Sequence, residues 1–270
     1  MEYSVGKYHF SYHSRGEKTW GEEKVLLDES IDLTAGTPWH ATGFTIEKLF
    51  DDALYAQFAK NVYSLLISRW QQAGLPVDYN FTLSRYHTVA EDFATHLKAV
   101  DKTKLLNISE FPVAVHLLEE RISEICKTSL ITKNPFDQQR VFHFRVIRPS
   151  KTDNNPLHRD IWLEDYDNCI NLYIPIAGSN ELTSLMMIPG SHTWPESKIE
   201  RTVKGADING IKYNVPAVTA IKGNFTMLRP SPNLNEVLVF SPYLIHGGSI
   251  NSSKDDTRIS IEIRLWKRSY

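Results

Sequence analysis

The second half of the chain breaks into short runs of β-forming residues, and this constrains the fold more tightly than any other feature. The runs are Arg140 to Ile147, Cys169 to Ile176, Leu182 to Ile188, Asn224 to Leu228, Glu236 to Phe240 and Arg258 to Lys267, separated by Pro, Gly and Asn. Strands of this length, punctuated by turn residues, belong to sandwiches and jelly rolls. The last run alternates cleanly. Ile259, Ile261, Ile263 and Leu265 share one face, while Arg258, Ser260, Glu262, Arg264 and Trp266 share the other. Successive side chains of a strand point to opposite faces, so one face suits a core and the other carries charge.

Upstream the texture is helical. Ile46, Leu49, Phe50, Ala53, Leu54, Phe58, Val62, Leu65 and Leu66 recur at helical spacing, which predicts one long helix from Phe44 to Ala73, stopped by Gly74 and Pro76. Further helices are expected around Val89 to Val100 and Val113 to Thr128, and an early strand over Lys24 to Leu33. The expected class is α+β with a mainly β core, in one domain over 1–270. Residues 1–135 form a largely helical flanking part and 136–270 the roll, with the helices on the outer face of one sheet. The long polar segment 195–223 reads as a lid or binding segment.

The 270 residues are 41% hydrophobic, enough for a sizeable core, and the net charge of −2 supplies no basic excess for nucleic acid or an anionic membrane. Only Cys126 and Cys169 occur, which fits a reducing compartment without a disulfide framework. Met1 to Phe10 lacks the apolar centre of a signal peptide, and no run is apolar enough for a bilayer. These features predict a cytoplasmic protein acting on a small molecule.

The chemistry concentrates at His158-Arg159-Asp160 and at His246. On a strand, His158 and Asp160 project together while Arg159 points away. His246 follows the apolar Val237 to Phe240 run and precedes Gly247-Gly248, where the backbone can turn sharply beside a metal. Two imidazoles and one carboxylate make the facial triad of a non-haem iron(II) oxygenase, with coordination positions left open. Arg258 and Ser260, on one face just downstream, can fork onto the far carboxylate of an organic-acid cosubstrate, 2-oxoglutarate. Asn171 is a further candidate contact to the cosubstrate. Arg145 would be an inward charge in need of a partner: the cosubstrate, an acidic substrate or Glu262. Trp162 and Tyr213 are candidates to line a substrate pocket.

Residues from about 140 to 265 resemble the phytanoyl-CoA dioxygenase family of iron(II)/2-oxoglutarate oxygenases. The resemblance rests on Leu157-His158-Arg159-Asp160, Met187-Ile188-Pro189-Gly190-Ser191-His192, His246-Gly247-Gly248-Ser249 and Arg258-Ile259-Ser260. It implies a double-stranded β-helix with flanking helices, His158, Asp160 and His246 as ligands of Fe(II), and Arg258 as anchor of 2-oxoglutarate, with O2 as oxidant. It also implies that His192 belongs to a structural turn outside the triad. Related halogenases carry a small residue at the carboxylate position, so Asp160 favours hydroxylation. Two other classes compete: a cupin-like metal enzyme that does not use 2-oxoglutarate, and a non-catalytic jelly-roll binding protein. Neither needs the Arg258–Ser260 pair.

Overall fold

The computed structural model describes residues 1–151, 153–163 and 166–268. Its largest sheet has seven antiparallel strands. The path runs Phe44–Lys48, Glu236–Phe240, Cys169–Ala177, Arg258–Lys267, Val141–Ile147 and Leu106–Asn107, and Leu130–Ile131 also pairs with Arg258–Lys267. The alternation read from the sequence decides what each face meets. Ile259, Ile261, Ile263 and Leu265 join Phe142, Phe144, Ile170 and Leu172 against helices α1 (Asp52–Gln72) and α3 (Val115–Cys126), which contribute Phe58, Val62, Leu66, Leu118 and Ile122. Each such side chain contributes about 1.5–3 kcal/mol on full burial. The opposite face carries Arg258, Ser260, Glu262 and Arg264 into the interior of the roll, beside Asn171 and Tyr173 of one neighbouring strand and His143 and Arg145 of the other. Helix α2 (Phe93–Thr103) packs along α1 and the Val141–Ile147 strand. No helix of the described residues is long and apolar enough to cross a membrane.

The facing layer of the roll is more irregular. Leu182 to Ile188 and Asn224 to Leu228, expected as strands, meet only at Met187 and Leu228, and further single bridges join His158 to His246 and Met187 to His246. Segment 195–223 carries short paired strands. Ile199–Thr202 pairs with Val218–Ile221 and with Lys18–Trp20, and Ala206–Ile208 pairs with Ile211–Tyr213 and with Ser14–Arg15. This layer closes a second core of Tyr3, Leu157, Met186, Ile188, Val218 and Ile245.

Two further expectations are corrected in the N-terminal part. The helix expected over Phe44 to Ala73 begins only at Asp52, because Phe44–Lys48 adds an edge strand to the large sheet. Phe44 and Ile46 alternate with Thr45 and Glu47, and this period of two outcompetes the helical one once a partner strand is present. Asp51 then caps the helix, accepting from the Leu54 amide at 2.9 Å. Lys24 to Leu33 forms bends and turns with one bridge, Val25 to Pro195, instead of a strand. The Asp28 carboxylate accepts from the Ser30 amide and Asp32 from the Thr34 amide, both at 2.8 Å, so side chains capture backbone donors that a ladder would need.

Candidate metal centre and active site

The interior of the roll narrows onto His158, Asp160 and His246. His158 and His246 exchange two backbone hydrogen bonds of 2.9 Å, which sets their rings side by side with centroids 4.5 Å apart. Asp160 opens a short 3-10 turn, Asp160–Trp162, and turns back toward them. The three donor atoms lie within 4.8 Å of one another and all three residues are buried. His192 sits apart, its Nε2 facing the His40 carbonyl oxygen at 2.9 Å.

Backbone carbonyls fix the tautomers. His158 Nδ1 lies 2.8 Å from the Pro156 oxygen and His246 Nδ1 lies 2.9 Å from the Leu244 oxygen. A carbonyl oxygen only accepts, so each ring carries its proton on Nδ1 and presents the Nε2 lone pair inward. Asp160 Oδ1 stands 3.1 Å from His158 Nε2 and 3.7 Å from His246 Nε2. Three electron-pair donors aimed at one point suit a divalent cation, and two imidazoles with one carboxylate match non-haem iron(II). Burial and the neighbouring His158 push His246 down to about 4, so its ring is neutral and free to ligate at neutral pH.

The second oxygen of Asp160 is held away from that point. Arg264 Nη2 and Asn171 Nδ2 both donate to Oδ2 at 2.9 Å, and the Arg264 guanidinium lies over the Tyr166 ring, 4.4 Å from its centroid. Burial alone would raise the Asp160 carboxyl, but the Arg264 guanidinium beside it holds it well below its ordinary range. Asp160 thus stays charged, with one oxygen presented to a metal.

Deeper in, Arg258 is 2% exposed and opens the final strand. Its Nη1 donates to the Thr183 carbonyl at 3.1 Å and its guanidinium lies 5.6 Å from the Tyr173 ring centroid. Arg258 Nε and Ser260 Oγ are buried without a hydrogen-bond partner among the described residues. Leaving such donors unmet costs about 1–3 kcal/mol each, so a carboxylate-bearing ligand fits the pair. A cavity of about 210 Å³ joins Arg258 to the three convergent donors.

The other residues singled out in the sequence are placed as follows. Asn171 lines this cavity but turns its amide to Asp160, beside the metal point. Arg145 lines it too, and its partner is Glu262, with Nε donating at 2.7 Å. Trp162 is corrected. The 3-10 turn carries its ring into the second core, where its indole donates to Glu196 at 2.9 Å. Tyr213 borders a neighbouring cavity that shares His143 and Arg145 with the first. Arg159 points away as expected. It is fully buried in an ion pair with Glu196 and binds the Ser191 and Trp194 carbonyls. The sequence reading missed Arg264, Tyr166 and His143 as site residues. The first shares a strand face with Arg258, which is the one signal that pointed to it.

The family model for phytanoyl-CoA dioxygenase matches residues 45–260. No curated protein matches the sequence. Among solved structures, AviO1 from Streptomyces viridochromogenes Tue57 is 13% identical, with 91% of this chain and 98% of that chain covered and a TM-score of 0.50. EctD from S. alaskensis, crystallised with 2-oxoglutarate and 5-hydroxyectoine, is 14% identical over 95% of this chain and 86% of its own, with a TM-score of 0.48. SnoN, an alpha-ketoglutarate-dependent epimerase from nogalamycin biosynthesis, is 9% identical over 85% of this chain and 79% of its own, with a TM-score of 0.44. The family match takes in well over half of the chain and runs through the three convergent donors to Ser260. The chain therefore belongs to the phytanoyl-CoA dioxygenase family, a group of oxygenases that use iron(II), 2-oxoglutarate and dioxygen.

Proposed function

We propose that this protein hydroxylates a small, polar organic substrate, consuming 2-oxoglutarate and dioxygen and releasing succinate and carbon dioxide. One observation carries the reading: a buried His-Asp-His donor set shares a cavity with Arg258, whose Nε is unmatched among the described residues. His158, Asp160 and His246 would hold iron(II), which supplies the oxygen chemistry when bound. Arg258 and Ser260 would hold the far carboxylate of 2-oxoglutarate, and the charged guanidinium would orient that molecule toward the metal point. The Nδ1 hydrogen bonds of both histidines keep protons off the ligating nitrogens. Tyr173, Leu185 and Phe240 exclude bulk water from the same cavity, which strengthens each charge interaction inside it. The whole of 1–270 is read as one oxygenase domain, with its N-terminal segments built into both layers.

Succinate release in the presence of iron(II), ascorbate and 2-oxoglutarate tests this reading. Slow turnover is expected without substrate and should vanish in His158→Ala. Arg258→Ala should keep iron yet need at least about tenfold more 2-oxoglutarate, the loss of a charge-assisted bond. No succinate from the iron-loaded wild type would leave a binding protein in its place.

A further inference from the structure

The cavity at the metal point opens beside a second one, and the residues on their shared rim have an unused binding capacity. His143 and Arg145 sit two apart on the Val141–Ile147 strand, on its inward face, and border both cavities. The Leu105 amide donates to His143 Nδ1 at 3.0 Å. Nδ1 is thereby the acceptor, so the ring carries its proton on Nε2 and offers it as a donor. Burial, with Arg145 and Arg264 nearby, pushes this imidazole down to about 4, which keeps it neutral at neutral pH. Arg145 donates through Nε to Glu262, and its side chain remains 41% exposed. Its two Nη groups have no hydrogen-bond partner among the described residues. A fork of guanidinium donors beside an imidazole N–H suits an oxyanion.

The charge balance favours the same ligand. Arg145, Arg258 and Arg264 on the cavity wall face Asp160 and Glu262, while Asp153 is matched by Arg148. The charges of a ferrous ion and a 2-oxoglutarate dianion cancel. One positive charge is left over among the described residues of the cavity wall.

The second cavity supplies the rest of the outline. Phe93, Leu97 and Leu105 line it, and they are 56%, 43% and 60% exposed. These three large apolar side chains, open to solvent at the rim of one cavity, offer an apolar surface to a ligand. Val100 and Ile211 extend the same wall.

We propose that the substrate is an amphipathic organic anion, its oxyanion held by Arg145 and His143 on the rim and its apolar body resting on Phe93, Leu97 and Leu105. This rests on the oxygenase reading and changes its polar substrate to one with an anionic head and an apolar body. Glu262 positions Arg145 and also competes for its charge.

The test is anaerobic calorimetry on the protein loaded with iron(II) and saturated with 2-oxoglutarate, titrated with hexanoate, acetate and hexanamide. Hexanoate should bind saturably, and hexanamide and acetate each at least about tenfold more weakly, the worth of one charge-assisted bond or of a few buried methylenes. Arg145→Gln should weaken hexanoate about tenfold or more, Arg145→Lys should restore part of it, and Leu97→Ser should weaken hexanoate but not acetate. Glu262→Gln should tighten hexanoate, a change of sign that a merely structural role would not give. Equal binding of hexanamide and hexanoate, or no saturable binding of any carboxylate, overturns the proposal while 2-oxoglutarate still binds. Failure of 2-oxoglutarate itself to bind the iron-loaded wild type would instead overturn the oxygenase reading beneath it.

Discussion

Asp160 is asked to do two things at once, and its surroundings divide the work between its oxygens. Oδ1 faces the imidazoles, and Oδ2 is tied to Arg264 and Asn171. Outer partners of this kind set the orientation of a metal ligand, and their loss typically costs 10–100-fold in metal affinity. Arg264→Ala should therefore weaken iron(II) binding by about that factor in an anaerobic titration; unchanged affinity would mean that Asn171 alone suffices. Gly247 constrains the other side. Its φ is +104°, and a β-carbon there would collide with the Pro156 carbonyl oxygen and come within 3.1 Å of His158 Nδ1. Gly247→Ala should lose bound iron, measured as metal content, while the circular dichroism of the fold persists; full iron content would show that His158 can be oriented without the Pro156 contact. His158, Asp160 and His246 were legible in the sequence because their residue types name their chemistry. Arg264 was not, because its pairing with Asp160 depends on strand register, with Arg264 opposite Asn171, and register is set by tertiary contacts.

Among elements, the four central strands of the large sheet were readable, and its edges and partner layer were not. Arg258–Lys267 forms as its alternation requires, and Glu236–Phe240 as its apolar run does. Phe44–Lys48 was hidden within a helical period, and its strand exists because Glu236–Phe240 offers an open edge. Asn235 secures the turn into helix α1, accepting from the Phe50 amide at 3.1 Å and donating to the Phe50 carbonyl at 3.0 Å. In the irregular layer, buried side chains reinforce short ladders. Arg159, between His158 and Asp160, reaches Glu196, which also accepts from Trp162. Removing one partner strands a buried charge, which typically costs about 3–5 kcal/mol. Glu196→Ala should lose stability on that scale in urea unfolding, and a loss below about 1 kcal/mol would show that the carbonyls around Arg159 are enough by themselves.

The whole molecule should respond to pH through its buried imidazoles. His96 is 4% exposed, with its Nδ1 3.1 Å from the Tyr86 hydroxyl and its Nε2 3.6 Å from Asp153. Burial lowers it from 6.5 to about 4, against the pull of Asp153. Between those values the unfolded chain takes up a proton that the folded chain excludes. Stability from this residue is therefore complete above 6.5 and declines as the pH falls toward 4, by about 2 kcal/mol at pH 5. The melting temperature should drop between pH 7 and pH 5, and less so in His96→Gln; an equal drop in both would remove His96 as the cause. The central claim concerns three donors and one guanidinium converging in a single cavity, and anomalous diffraction at the iron edge tests it most directly. Crystals grown without oxygen in iron(II) and 2-oxoglutarate should give one strong peak bonded to His158 Nε2, Asp160 Oδ1 and His246 Nε2, with the far carboxylate of 2-oxoglutarate on Arg258 and Ser260. A peak bonded elsewhere, or 2-oxoglutarate lying away from Arg258, would contradict it.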